Sequence, residues 1–161
     1  QFFKLRPDNF PTIRLSQLIF LISNKQNLFS QLILANSYSE IKGLLKSETS
    51  EYWKSHYNFS KTSKTKSKVL TSQFIDLLII NTIIPIKFSY EKSLGKLNFE
   101  ELVSLLEAIP SEKNSIIEKF SEFDIKSANA FQSQSLLELK NEYCNKNKCL
   151  KCAVALQLLK N

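Results

Sequence analysis

Three thiols are the groups in this chain best suited to chemistry. Cys144, Cys149 and Cys152 are its only cysteines, and all fall within nine residues, where one apolar helical pattern ends and another begins. Cys149 and Cys152 stand at i and i+3, a spacing that predicts one face of the first turn of a helix. The Asn145–Lys148 loop is short enough to bring Cys144 back towards them. Helix N-terminal amides and Lys146, Lys148 and Lys151 favour the thiolate form. Thiolates at Cys-x2-Cys spacing are half of the usual structural zinc site, which needs four ligands. The fourth is absent locally, and His56, the only histidine, is the distant nitrogen candidate. The sharp expectation is therefore one zinc ion held by Cys144, Cys149, Cys152 and His56. Against it stands a buried corner in which three cysteines serve as small hydrophobes. A redox Cys-x2-Cys pair is a third reading, without the βαβ pattern that usually surrounds one.

Two other groups of residues could bind anions. Of 22 basic residues only Arg6 and Arg14 are arginine, and they frame one segment, Arg6 to Arg14. In a lysine-rich chain they hint at a planar fork gripping carboxylate or phosphate; pinning the N-terminal segment in place is the plainer role. Lys61, Lys64, Lys66 and Lys68 lie in a polar, low-complexity run that reads as an exposed loop or a phosphate-binding arm. Just before it, Trp53, His56, Tyr57 and Phe59 are spaced as an aromatic core patch, with a base-stacking platform as the rarer use. Glu100, Glu101, Glu107, Glu112 and Glu118 are spread as solvated helix faces would have them. No phosphate loop, catalytic carboxylate pair or zinc-protease motif is present.

The elements that must position these residues read as helices. Two glycines and four prolines in 161 residues are too few for the corners of a strand-and-turn fold. Residues 1–11 read as extended. Helices are expected from Thr12 to Asn24 on the apolar set Ile13, Leu15, Leu18, Ile19 and Ile22, from Leu28 to Ala35, and from Ser39, as cap, to Leu45. A long apolar helix is expected from Thr71 to about Tyr90, kinked or interrupted at Pro85. Asn98 with Glu101 predicts a capping-box start for a helix ending at Pro110, and Ser111 a cap for the next. Two more should cover Lys126–Tyr143 and Cys149–Leu159. The fold class is all-α, a single compact domain over 1–161 of about seven helices with an extended N-terminal segment.

Composition bounds the rest. The absence of methionine and the opening Gln-Phe-Phe read as a C-terminal fragment of a longer protein. A net charge of +7 invites a polyanion partner, but the near-absence of arginine weakens base readout. The run Phe74–Phe88, broken by Asp76, Asn81, Pro85 and Lys87, is too short and polar to span a membrane. An odd number of cysteines with no visible signal fits the cytoplasm.

Four separated motifs carry a resemblance: Arg6-Pro-x-Asn-Phe-Pro-Thr-Ile-Arg-Leu15, Tyr52-Trp-x-x-His-Tyr-x-Phe59, Asn81-Thr-x-x-Pro85, and Ser133-Gln-x-Leu-Leu-x-Leu-Lys-x-x-Tyr-Cys-x4-Cys-Leu-x-Cys152. Together they resemble the C-terminal part of a bacterial family known only as a domain of unknown function (number two-eight-five-one). The resemblance implies no activity. It implies a further N-terminal domain with a restriction-nuclease-type metal core, none of whose residues is in this chain, so no catalytic role carries over. The cysteine motif is also similar to the iron–sulfur loop of helix-hairpin-helix DNA glycosylases, but Leu158 stands where a fourth cysteine would fall. The expected function is a non-catalytic accessory module of a nucleic-acid-associated, nuclease-like protein. The alternative is an interaction or scaffolding module that packs on its own N-terminal domain, with structural cysteines.

Overall fold

Proline at a first helical turn costs nothing, because the amide it lacks has no intrahelical partner there. Pro11 uses this rule to start α1 (Pro11–Asn24), just after a 3-10 turn at Pro7–Asn9. The computed structural model describes residues 5–159, with side chains through Gln157. Among the described residues there is no strand, only the isolated bridges His56–Thr62 and Pro110–Asn129, so the fold is all-α as the sequence leads one to expect. The chain gathers into two compact units, Gln1–Leu97 and Asn98–Asn161.

In the first unit α1 is followed by α2 (Leu28–Leu34), α3 (Tyr38–Leu44) and the single turn α4 (Glu51–Lys54). The cap of α3 is Ser37 rather than Ser39: its extended backbone lets Oγ accept from the Glu40 amide at 3.2 Å. Glu40 Oε2 in turn accepts from the Asn36 amide.

The long apolar helix runs unbroken over Ser72–Ser93, as α5 (Ser72–Leu78), a π-turn at Ile79–Ile83, and α6 (Ile84–Ser93). Thr71 caps it, and Pro85 does not interrupt it. A proline cannot donate to the carbonyl four residues back, and the widened turn immediately before it shifts the ladder by one residue to absorb that loss. Gly95, at φ +65°, closes the helix by letting the Lys96 amide reach the Glu91 carbonyl at 2.9 Å. With 22 residues, this helix is long and apolar enough to cross a membrane by length and composition, contrary to the shorter run read from sequence. Its apolarity has a use within the fold: Ile75, Ile79, Ile80, Ile83 and Ile84 are buried.

The buried lysine of this helix is partnered. Lys87 has no exposed surface, and its ammonium donates to the carbonyls of Ile33 (2.5 Å) and Ala35 (3.0 Å), at the C-terminal end of α2, with Glu91 Oε1 at 3.8 Å. A cation belongs there, because the last carbonyls of a helix lack amide partners.

The second unit holds α7 (Phe99–Ala108), α8 (Ser115–Glu122) and α9 (Ala130–Glu138). The Asn98 cap is as expected from the sequence. The cap of α8 is Asn114, whose Oδ1 accepts from the amides of Ile116 and Ile117, both at 3.1 Å. Ser111 instead pairs with the Ser127 hydroxyl at 2.5 Å. After α9 come a π-turn at Leu139–Cys144, a 3-10 turn at Cys149–Lys151, and α10 (Ala153–Leu159). Leu102, Leu105, Ile109, Ile117 and Ala130 are buried in this unit.

Candidate functional site

Cys149 and Cys152 do not share the first turn of a helix. Cys149 opens the 3-10 turn, and Cys152, in extended conformation, precedes α10 and accepts the Leu156 amide on its carbonyl at 2.9 Å. Cys144 closes the π-turn, at the edge of a cleft of about 270 Å³ lined by Ile116, Lys119, Phe120, Phe123 and Lys140. Cys144 and Cys149 are exposed; Cys152 is buried. His56 belongs to the first unit and the cysteines to the second. Its Nδ1 donates to the Tyr52 carbonyl at 2.9 Å and lies 3.1 Å from Ser55 Oγ, and its ring stacks on Tyr52. Among the described residues, no three His, Cys, Asp or Glu side chains gather where they could hold a metal ion.

The basic residues singled out in the sequence fall into two classes. Arg14 is used inside the unit: its guanidinium donates to Asn9 Oδ1 (2.6 Å) and Gln17 Oε1 (3.0 Å) and lies 3.6 Å over the Phe74 ring. Lys68 is buried, with its ammonium on the carbonyls of Trp53, Lys54 (3.1 Å) and His56 (3.0 Å) and over the Tyr57 ring. Burial pulls its pKa below the ordinary lysine value. Lys66 pairs with Asp8 at 3.0 Å, and that hydrogen bond is the main reason the Asp8 carboxyl lies below its ordinary range. Arg6, Lys61 and Lys64 are exposed. Thr12, Gln17 and Ser47 sew the lysine segment to α1, through Thr12 to the Tyr57 carbonyl (2.6 Å), Gln17 to the Lys68 carbonyl (3.0 Å) and Ser47 to the Gln17 carbonyl (2.5 Å).

Two features escape a reading of the sequence. The first is a cleft of about 490 Å³ lined by Phe20, Lys42, Lys46, Glu48, Leu70 and Ile75, among others. Beside it the Tyr38 hydroxyl donates to Asp76 Oδ1 at 2.7 Å, and the Lys42 ammonium reaches both Asp76 (2.9 Å) and the Tyr38 oxygen. Burial raises the Tyr38 pKa. Burial opposes the Lys42 charge, but the bonds to Tyr38 and Asp76 outweigh it and its pKa is raised. Asp76, a carboxylate inside an apolar run, was the one available signal, since a buried charge demands a partner.

The second feature is the outer face of α1. Ile13, Ser16, Gln17 and Leu21 are its buried residues. Leu15, Leu18, Ile19 and Ile22 are 57%, 49%, 65% and 59% exposed. Their i, i+3, i+4, i+7 spacing sets all four on one side of the helix.

A family model described as a protein of unknown function, DUF2851, matches residues 1–115. The chain belongs to this family. The DUF2851 stretch takes in α1 to α7, with the α1 face and the lysine segment; the three cysteines lie beyond it. No curated protein and no solved structure matches the chain.

Proposed function

We propose that this chain is a non-catalytic helical docking module that pairs with a second copy of itself through the outer face of α1. The observation that supports this reading is the exposed aliphatic stripe Leu15, Leu18, Ile19 and Ile22. Single exposed apolar side chains are ordinary, but a contiguous patch marks an interaction surface. Charge does not oppose a homotypic contact at this place. The chain carries +7, so two copies repel over most of their surfaces. Within α1 the only charged residue is Arg14, which is engaged by Asn9, Gln17 and Phe74. The stripe itself therefore brings no charged side chain to the contact. At 1.5 Å per residue, the 14 residues of α1 span roughly 21 Å. Two helices packed along that length bury less than the ~1,200 Å² of a standard interface, so the pair should be weak and concentration-dependent.

Sedimentation equilibrium tests the proposal. The weight-average mass should climb from monomer towards dimer between low-micromolar and near-millimolar protein. Ile19→Lys, on an exposed position, should keep the far-UV circular dichroism and remain monomeric throughout. A wild-type chain that stays monomeric, or an Ile19→Lys variant that associates equally, would refute the assignment.

A further inference from the structure

We infer that the segment Tyr52–Lys68 is a binding platform for single-stranded nucleic acid, in which exposed aromatic rings stack on unpaired bases and Lys61 and Lys64 take the phosphates. Tyr52, Trp53, His56 and Phe59 form one cluster of rings. Tyr52 and His56 stack with centroids 4.0 Å apart and planes within 6°, and Phe59 meets Trp53 edge-on at 5.1 Å. This is not a closed core patch, because Tyr52 is 44% and Phe59 78% exposed. Aromatic faces open to solvent next to lysine are the two components of single-strand binding: stacking that tolerates any base, and attraction to the backbone.

The segment itself carries charge of one sign, with the carboxylates of Glu51 and Asp8 set against its flanks. From Tyr52 to Lys68 the sequence holds five lysines and no aspartate or glutamate. Three of the five are occupied: Lys54 pairs with Glu51 at 2.8 Å, Lys66 with Asp8, and Lys68 holds three backbone carbonyls. The Lys68 contacts fix the loop to the aromatic turn, as do the Ser63 amide on the Ser55 carbonyl (2.7 Å) and the Lys66 amide on the Lys54 carbonyl (3.0 Å), while Lys66 on Asp8 ties it to the turn at Pro7–Asn9. Lys61 and Lys64 are then left exposed on a braced loop beside Phe59, and among the described residues they make no ion pair. A braced platform loses less conformational entropy on binding than a free lysine tail.

The ligand follows from this chemistry. In a duplex, bases are stacked on one another and offer no ring faces, so a stacking platform selects unpaired strands. Lysines act as point charges on phosphate and read no base edge, so binding should be tolerant of sequence. Unpaired base and phosphate are common to DNA and RNA.

Fluorescence anisotropy with end-labelled oligothymidylate, oligouridylate and a duplex of equal length provides the test. Both single strands should bind, the duplex should bind more weakly, and Trp53, the only tryptophan, should be quenched on binding. With two phosphates neutralised, the log–log salt slope should be about −1.4. Phe59→Ala, at a solvent-facing position, should weaken binding about tenfold or more at unchanged circular dichroism. Lys61→Glu with Lys64→Glu should abolish the salt dependence along with the affinity. Equal or tighter duplex binding, wild-type affinity in Phe59→Ala, or no single-strand binding at low salt would each overturn the inference. Binding of only one of the two single strands would overturn the shared base-and-phosphate recognition.

Discussion

Replacing Lys87 by methionine should cost the first unit about 3–5 kcal/mol, the usual penalty for removing one partner from a buried charge cluster. The magnitude follows from what the ammonium touches. Lys87 has no exposed surface, and its Nζ sits 2.5 Å from the Ile33 carbonyl, 3.0 Å from the Ala35 carbonyl and 3.8 Å from Glu91 Oε1. Methionine keeps the volume of the aliphatic stem, so no large cavity opens. What it removes is the donor to two acceptors, each costing about 1–3 kcal/mol when buried without one. Urea unfolding, followed by Trp53 fluorescence, reads the loss in the first unit directly. With a slope of about 2 kcal/mol/M the midpoint should fall by roughly 2 M. A Lys87→Met variant within about 1 kcal/mol of wild type would show that the site needs volume rather than charge, and the capping role assigned to this lysine would be wrong.

The remaining expectations are smaller. Asp8 has its pKa lowered from 3.8, first by the hydrogen bond from Lys66, so the unfolded chain binds its proton more readily. The stabilisation is therefore present above 3.8 and lost as pH falls through the lowered value. Because Asp8 is 60% exposed, Asp8→Asn should cost less than about 1 kcal/mol at neutral pH. That difference from wild type should vanish in acid, and urea midpoints taken from pH 6 to pH 2 check it. Asn114→Ala should destabilise the second unit by about 1 kcal/mol in thermal unfolding, while Asn114→Ser retains the cap. Native alkylation with iodoacetamide should find two fast thiols, Cys144 and Cys149, and a slow one, Cys152. The zinc site expected from the sequence at Cys144, Cys149, Cys152 and His56 requires that added zinc protect all three thiols; two fast thiols unaffected by zinc would count against it.

Helix content was readable because scarce glycine and a 3.6-residue apolar period leave little room for strands. Which face of a helix is covered was not. Leu15, Leu18, Ile19 and Ile22 make the strongest apolar period in α1, yet the buried side carries Ser16 and Gln17. Gln17 can be buried because it donates to the Lys68 carbonyl, 51 residues away, and Ser47 donates to its own carbonyl. Periodicity reports neighbours on a helix and is silent about what lies opposite. Caps slipped for a related reason: several polar residues precede α3 and α8, and backbone conformation selects Ser37 and Asn114 from among them. Lys68 looked like part of an anion-binding arm because a lysine in a basic run carries no mark of burial. The Tyr38–Lys42–Asp76 cluster spans 38 residues of sequence and left one trace, the aspartate in an apolar run.

Photo-crosslinking from position 19 tests the docking assignment most directly. With a benzophenone side chain in place of Ile19, irradiation at high protein concentration should give a dimer whose crosslinked peptide lies within Pro11–Asn24 of the second copy. Monomer alone, or crosslinks to a different surface, would contradict pairing through α1.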